Sequence, residues 1–429
     1  MATADRKFAA LLGKGVTEIR TIIAAFTSRD PRDIGDRFFT LATNMPFVDF
    51  IDDGSQISVS GSKKNIVGSP MAVTAAGIMY RSKVTNEIYK KIRIDVDEED
   101  DLITFFLEAF VAVVLSTHPI VGGNICVPTR AFRNAGMARK SGRVADSGAS
   151  ARPLETPSLY LLMDVIPYNY NSWAKRRPAG TTILQHYLPI IRQIATILAA
   201  LENDFRFCHN DLHVENFLIT EGGEVKLIDF GRSSLRFNGN YYGNTKDNFT
   251  EPTFEFSCDM LTFLVNMYAS VGNPELRAFI KGLFIHPVDG LNLLDMIQAI
   301  SDSLPFDPQG RAVPLHWLCY PYEVWGYENR YGGWSDELKQ RLRETPSCCR
   351  PANLANVLVT GPFAPPRTVA RAPLPLNEER LALVEKKSCW QCIKNGFASM
   401  CCGTRRRKGG RRHFKRTTRR KVTKSRKHL

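Results

Sequence analysis

The sequence predicts an α+β fold, with strands in its first part and a largely helical second part. Residues 87–94, EIYKKIRI, alternate in the manner of a strand, and a dense apolar run, LITFFLEAFVAVVLSTHPIV, begins at Leu102. Residues 181–204, TTILQHYLPIIRQIATILAALEND, carry the periodicity of a long amphipathic helix. Just after it, FCHNDLHVENFLITEGGEVKLIDFG places two apolar strands on either side of a Glu221-Gly222-Gly223 turn.

Taken from the N-terminus, residues 1–55 show helical spacing at Ile19, Ile22, Ile23 and Phe26, then at Phe38, Phe39 and Leu41. They are expected to form a helical extension packed on the region that follows. The opening MATADRKFAALLGKG has too short an apolar core between charges for a signal peptide. No apolar run reaches the roughly 18 residues of a transmembrane helix, and Cys126, Cys208, Cys258 and Cys319 are scattered as in a reduced intracellular protein, so an intracellular chain is expected. A strand-rich region is expected over 56–166. Ahead of the Lys90 strand, NIVGSPMAVTAAGIMYRSK contains Gly68 and Gly77 but no GxGxxG, and its small residues let backbone approach a phosphate. On that strand Lys90 and Lys91 point to opposite faces. Glu108 is the one charged residue between Leu102 and Ser116. A carboxylate in such a stripe is costly unless paired, and Lys90 is its expected partner. Ile125–Val127 reads as a short strand, Arg133–Pro157 as a Gly/Ser/Arg-rich loop, and LYLLMDVI, 159–166, as a further strand.

A mostly helical region is expected over 167–345. Its aromatic-rich end, HWLCYPYEVWGYENRYGGW, reads as packed core. Prolines 351, 362, 365, 366, 373 and 375 mark 346–380 as a linker that does not continue regular structure. Within 381–403, Cys389 and Cys392 form a CxxC and Cys401-Cys402 follow. That set has enough thiolates for zinc, suits acylation beside a basic segment, or serves no specific role. From Thr404 to Leu429 there are 14 Lys or Arg and no Asp or Glu. The chain has 57 basic and 43 acidic residues for a net +14, so the rest of the chain is formally neutral. The basic character belongs to a tail, expected to be disordered and to meet polyanions, either nucleic acid or an anionic membrane surface.

Asp211, Asn216 and the Asp229-Phe230-Gly231 triplet occur in the order that phosphoryl transfer from ATP needs. A carboxylate orients the attacking hydroxyl, and an amide with a second carboxylate holds Mg²⁺. With Lys90 and Glu108 upstream, the pattern resembles the protein-kinase-like superfamily over about residues 60–330. The resemblance implies a two-lobed kinase-like fold, with a small β-rich lobe and hinge over 56–166 and a larger helical lobe over 167–345, and ATP and Mg²⁺ as cofactors. It makes Asp211, Lys90 and Glu108 catalytic, and gives Lys90, Gly68, Gly77 and the hinge Met163, Asp164, Val165 and Ile166 to the nucleotide. Asn216 and Asp229 then take the metal, and Asp259 in SCDMLTFLVNMYA is similar to the structural Asp of a core helix.

Two departures bear on the acceptor. Asn210 stands where many protein kinases place an Arg that binds a phosphate on the activation loop, and an amide cannot form that bidentate pair. Activity independent of loop phosphorylation is therefore expected. His213 occupies the place of a Lys near the γ-phosphate, and Arg232–Phe256 lacks the Ala-Pro-Glu anchor of a peptide-substrate loop. The leading expectation is a serine/threonine protein kinase acting on protein substrates, including basic virion or nucleic-acid-associated proteins. HNDLHxEN and CDMLTFL resemble the divergent kinases of large DNA viruses, some packaged in virions. The alternatives are a small-molecule kinase of the aminoglycoside or choline type, favoured by DLH and the missing Ala-Pro-Glu, and a non-catalytic nucleic-acid-binding protein on a kinase fold.

Overall fold

Helix α1 (Ala2–Leu11) and α2 (Val16–Ala25) open a mixed α+β fold whose antiparallel sheet and many helices are compatible with the kinase-like class. The computed structural model describes residues 2–25, 38, 40–45, 48–51, 56–59, 62–64, 67–74, 77–82, 86–93, 99–133, 158–243, 258–303 and 335–360. These fall in one compact unit, Met1–Pro366.

Strands β1 (Val48–Ile51), β2 (Gln56–Val59) and β3 (Ser62–Lys64) form a small antiparallel sheet. Strands β4 (Val67–Thr74), β5 (Gly77–Ser82) and β6 (Glu87–Arg93) begin a second sheet. Across the helix α3 (Glu99–Leu115), β7 (Arg130–Arg133) and β8 (Ser158–Asp164) complete it, in the order β4-β5-β6-β8-β7. Lys90 pairs in register with Met79 on one side and Leu161 on the other, so its backbone is held from both edges. Helix α3 is buried at nearly every position from Leu102 to Leu115. A helix apolar all round has no solvent face to offer, which is why it lies inside the fold. Phe8 of α1 meets Phe110 of α3 edge-on at 5.5 Å between centroids, and Phe38 stacks on Phe106 at 5.3 Å.

The short helix α4 (Tyr170–Ala174) precedes α5 (Ile183–Phe205), which starts in a reciprocal cap. The Thr182 hydroxyl accepts from Gln185 N and the Gln185 side chain accepts from Thr182 N. Its buried face includes Tyr187, Ile190, Ile191, Ile194, Leu198 and Leu201. It ends at Arg206, in the left-handed region at φ 48°. The hairpin β9 (Phe217–Ile219) and β10 (Val225–Leu227) is tied to α5 by Gln193. The Gln193 amide donates to Gly223 O and accepts from Val225 N, both at 2.9 Å. A second hairpin, β11 (Leu235–Phe237) with β12 (Asn240–Tyr242), follows. Helices α6 (Cys258–Ser270), α7 (Pro274–Leu283) and α8 (Leu293–Ser303) follow, then α9 (Asp336–Glu344), α10 (Pro346–Cys349) and α11 (Pro351–Thr360).

Three expectations need correction. Pro346–Cys349 and Pro351–Thr360, placed in a linker, are helical: Pro346 and Pro351 open α10 and α11, where a missing N–H leaves no bond unmade. Leu354 and Leu358 of α11 are fully buried, and Arg192 of α5 donates to Leu358 O at 2.9 Å. Within 1–55, expected to be helical, Val48–Ile51 is a strand. Ile125 makes a single parallel bridge to Leu227 rather than a strand with its neighbours. The loop after Arg133, the aromatic stretch 316–334, the Cys-rich segment 381–403 and the basic tail 404–429 lie outside the described residues. No helix among the described residues is long and apolar enough to cross a membrane.

Candidate active site

The segment after α5 is fixed by one buried carboxylate. Asp259, at the start of α6 and 1 % exposed, accepts His209 N at 2.6 Å through Oδ2 and Asn210 N at 2.8 Å through Oδ1. Burial pushes its pKa up, against the charge of His209 and those two backbone bonds. His209 donates from Nε2 to Ile228 O at 2.9 Å, joining this segment to the end of β10. Asn210 and Asp229 both adopt a left-handed backbone at φ 63°, which Asn and Asp tolerate better than other side chains.

These contacts set out the predicted residues. The Asn216 amide donates from Nδ2 to Asp211 O at 2.7 Å. A carbonyl accepts only, so the amide nitrogen must face it and Oδ1 turns away as the available ligand atom. Ile228 N donates to Asn216 O at 3.1 Å, seating Asn216 beside the chain that enters Asp229. His213 accepts Glu215 N at Nδ1, 3.3 Å, and its Nε2 lies 3.8 Å from Asp211 Oδ1.

Lys90 reaches this group from β6. Its ammonium donates to both oxygens of Glu108, at 2.8 and 2.9 Å, and to Asp229 Oδ1 at 3.0 Å. Lys90 and Glu108 side chains are nearly closed to solvent, at 7 % and 5 % exposure, whereas Asp229 keeps 35 %. The open carboxylate is the one that faces outward. Burial opposes the Lys90 charge, but Asp229 and Glu108 outweigh it and raise the pKa. Burial also works against the Asp229 anion, and Lys90 outweighs it and lowers that pKa. Glu108 goes the other way: burial first, then the charge of Asp229, push it up to about 7 against the pull of Lys90. One ammonium cannot fully compensate the buried Glu108 carboxylate while it also serves Asp229. Gly231 allows this approach, since a Cβ there would stand 2.9 Å from Thr104 Cγ2 of α3.

The expected nucleotide-facing residues have mixed surroundings. Met163 is buried at the end of β8, Asp164 is exposed, and Val165 and Ile166 are half-buried. Val165 N is spent on Asn86 O at 3.2 Å. Gly68 lies inside β4, next to a register shift against β5. Gly77 has φ 155°, and a Cβ there would meet Lys91 O at 2.1 Å. Its missing side chain is therefore required by strand packing, whatever approaches from outside.

The donor set suits Mg²⁺, which takes oxygen ligands from one or two side chains and completes its shell with phosphates and water. Among the described residues no group of three or more His, Cys, Asp or Glu side chains converges as a metal site by itself. Sequence reasoning missed Asn266, whose Oδ1 accepts Val214 N at 2.8 Å and braces the loop after Asp211. Its signal was available: like Glu108, it is a polar residue inside an apolar helix. The pair Ser233-Ser234, bonded across to residues 208–210, carried no comparable signal.

Residues 166–290 match the family model for choline/ethanolamine kinase, a family of the protein-kinase-like superfamily. The match covers less than a third of the chain and includes Asp211, Asn216, Asp229 and Asp259, while Lys90 and Glu108 precede it. It supports a kinase-like phosphotransferase and agrees with the small-molecule expectation better than with the serine/threonine one. It lends nothing to the viral resemblance. No curated protein matches the chain.

Proposed function

We propose that the chain is an ATP- and Mg²⁺-dependent phosphotransferase acting on the hydroxyl of a small molecule, with amino alcohols of the choline and ethanolamine kind as the first class to test. The observation that carries this reading is the Lys90 ammonium bonded to both Glu108 and Asp229. Two of those three residues lie outside the matched stretch, so their convergence on Asp229 is support independent of the match.

In this reading Lys90, placed by Glu108, holds the α- and β-phosphates, and Asn216 and Asp229 are the residues that would hold the metal. Bound Mg²⁺ supplies neutralisation of charge on the phosphates. Asp211 orients the acceptor hydroxyl toward the γ-phosphate and takes its proton, a gain made mostly by positioning. The hinge residues Met163 to Ile166 border the adenine, and the β4–β5 hairpin covers the phosphates. The basic tail 404–429 serves as a separate polyanion anchor.

ADP release with choline, ethanolamine, an aminoglycoside or a basic protein as acceptor tests the reading. Acceptor-dependent release with one of the small molecules is expected. Transfer confined to the protein acceptor would return the protein-kinase reading to first place, and no Mg-ATP-dependent transfer to any acceptor would overturn both.

A further inference from the structure

The segment that follows Asp229-Phe230-Gly231 is sewn, residue by residue, onto the segment that leads into Asp211. Cys208 and Ser234 exchange both backbone bonds, Cys208 N to Ser234 O at 2.8 Å and Ser234 N to Cys208 O at 2.9 Å. Ser233 Oγ donates to His209 O at 3.2 Å. Asn210 Nδ2 donates to Arg232 O at 3.0 Å and lies 3.3 Å from Ser234 Oγ. Asn210, Ser233 and Ser234 are 4 %, 0 % and 2 % exposed, so these bonds are made away from water.

We propose that Asn210 is a positioning residue for phosphotransfer: its side-chain amide clasps the Arg232–Ser234 segment and thereby holds Asp211 and Asp229 in fixed relation without any phosphate. The backbone makes this possible. With its N–H on Asp259 and φ at 63°, Asn210 turns its side chain back onto the Arg232–Ser234 segment rather than outward. A long guanidinium at this position would suit an added phosphate, whereas a short amide suits a carbonyl already in place. The clasp is internal and neutral, so no charge has to be added to close it. Ser233 and Ser234 are themselves too buried to be phosphorylated without opening the segment.

The inference rests on the phosphotransfer reading for its catalytic meaning, and its test keeps the two apart. Asn210→Gly preserves the left-handed backbone and removes only the amide. Ser234→Ala keeps the exchange with Cys208 and removes one partner, and serves if the glycine variant fails to fold. In full-length protein, Asn210→Gly is expected to lower kcat about tenfold while KM for Mg-ATP stays within about twofold, the size of one lost buried hydrogen bond. Ser234→Ala is expected to lower kcat by a smaller factor. Hydrogen exchange gives the readout that does not need activity: amides of 232–236 lose protection in both variants, while those of Val225–Leu227 keep theirs. Phosphatase-treated wild-type protein is expected to be as active as untreated protein. A wild-type kcat in both variants, unchanged protection at 232–236, or loss spread evenly over the molecule would each overturn the clasp. If the wild-type protein transfers no phosphate, the functional reading falls and the exchange measurement still decides the clasp.

Discussion

Replacing Glu108 by Gln removes one titrating group from the Lys90–Glu108–Asp229 cluster. Both Glu108 oxygens sit on Lys90, and the same ammonium also serves Asp229. Burial and the neighbouring Asp229 raise the Glu108 carboxyl from its ordinary 4.5 to about 7. A rise of that size corresponds to about 3 kcal/mol. In the unfolded chain the group gives up its proton near its ordinary value, and the folded chain retains it until about 7. The folded state therefore binds more protons across that window, and its stability falls as pH rises through it, becoming level above. Gln does not titrate. The stability of Glu108→Gln minus that of the wild type should thus increase by up to about 3 kcal/mol between about pH 4.5 and about pH 8, whatever constant offset the substitution brings. Urea denaturation of both proteins across that range measures the difference. A difference that stays flat, or that decreases with pH as it would if Lys90 depressed the carboxyl, refutes the reasoning. Activity moves in the opposite sense: kcat/KM should fall at least about tenfold, because Lys90 loses the group that places it.

Other changes have equally definite outcomes. Asp229→Ala should reduce phosphotransfer at least about 100-fold while circular dichroism stays that of the folded chain; full activity would remove Asp229 from the metal site. Thr182→Ala removes the cap of α5 and should cost about 1 kcal/mol in denaturant unfolding, with an unchanged midpoint counting against the cap. His286 lies between Glu344 Oε2 at 3.0 Å and Asp289 Oδ1 at 2.8 Å, and these bonds raise its pKa above 6.5 despite the nearby Arg341. The stability it contributes is complete below its ordinary value and lost as pH rises through the raised one. Wild-type Tm should therefore drop more than that of His286→Gln as pH rises above 6.5, and equal drops would contradict it. Deleting Thr404–Leu429 should abolish salt-sensitive binding to DNA or anionic vesicles while leaving transfer to a small acceptor within about twofold.

What could be read from the sequence depended on whether a residue's surroundings were local. Glu108 stood out because a carboxylate in an apolar helix must find a partner, and the helix itself announced its burial. Asp211, Asn216 and Asp229 were visible through spacing along one short hairpin. The prolines of 346–360 misled because a proline stops a helix from inside but starts one from its first turn, and the residue alone does not say which. Asn210 was legible only as the absence of an Arg. Its contacts with Arg232 and Ser234 depend on a left-handed backbone that Asp259, some fifty residues on, holds in place. Gly77 was open to a phosphate reading until the carbonyl of Lys91 supplied a closer reason for it.

The central claim, that Asp211 directs a small-molecule hydroxyl onto the γ-phosphate of ATP, is tested most directly by following labelled γ-phosphate from ATP into choline or ethanolamine. The comparison is wild-type protein against Asp211→Asn. Label is expected in the small acceptor with the wild type, with at least about a 100-fold lower rate for Asp211→Asn at unchanged affinity for Mg-ATP. Equal rates in the two proteins, or label found only in protein side chains, would contradict it.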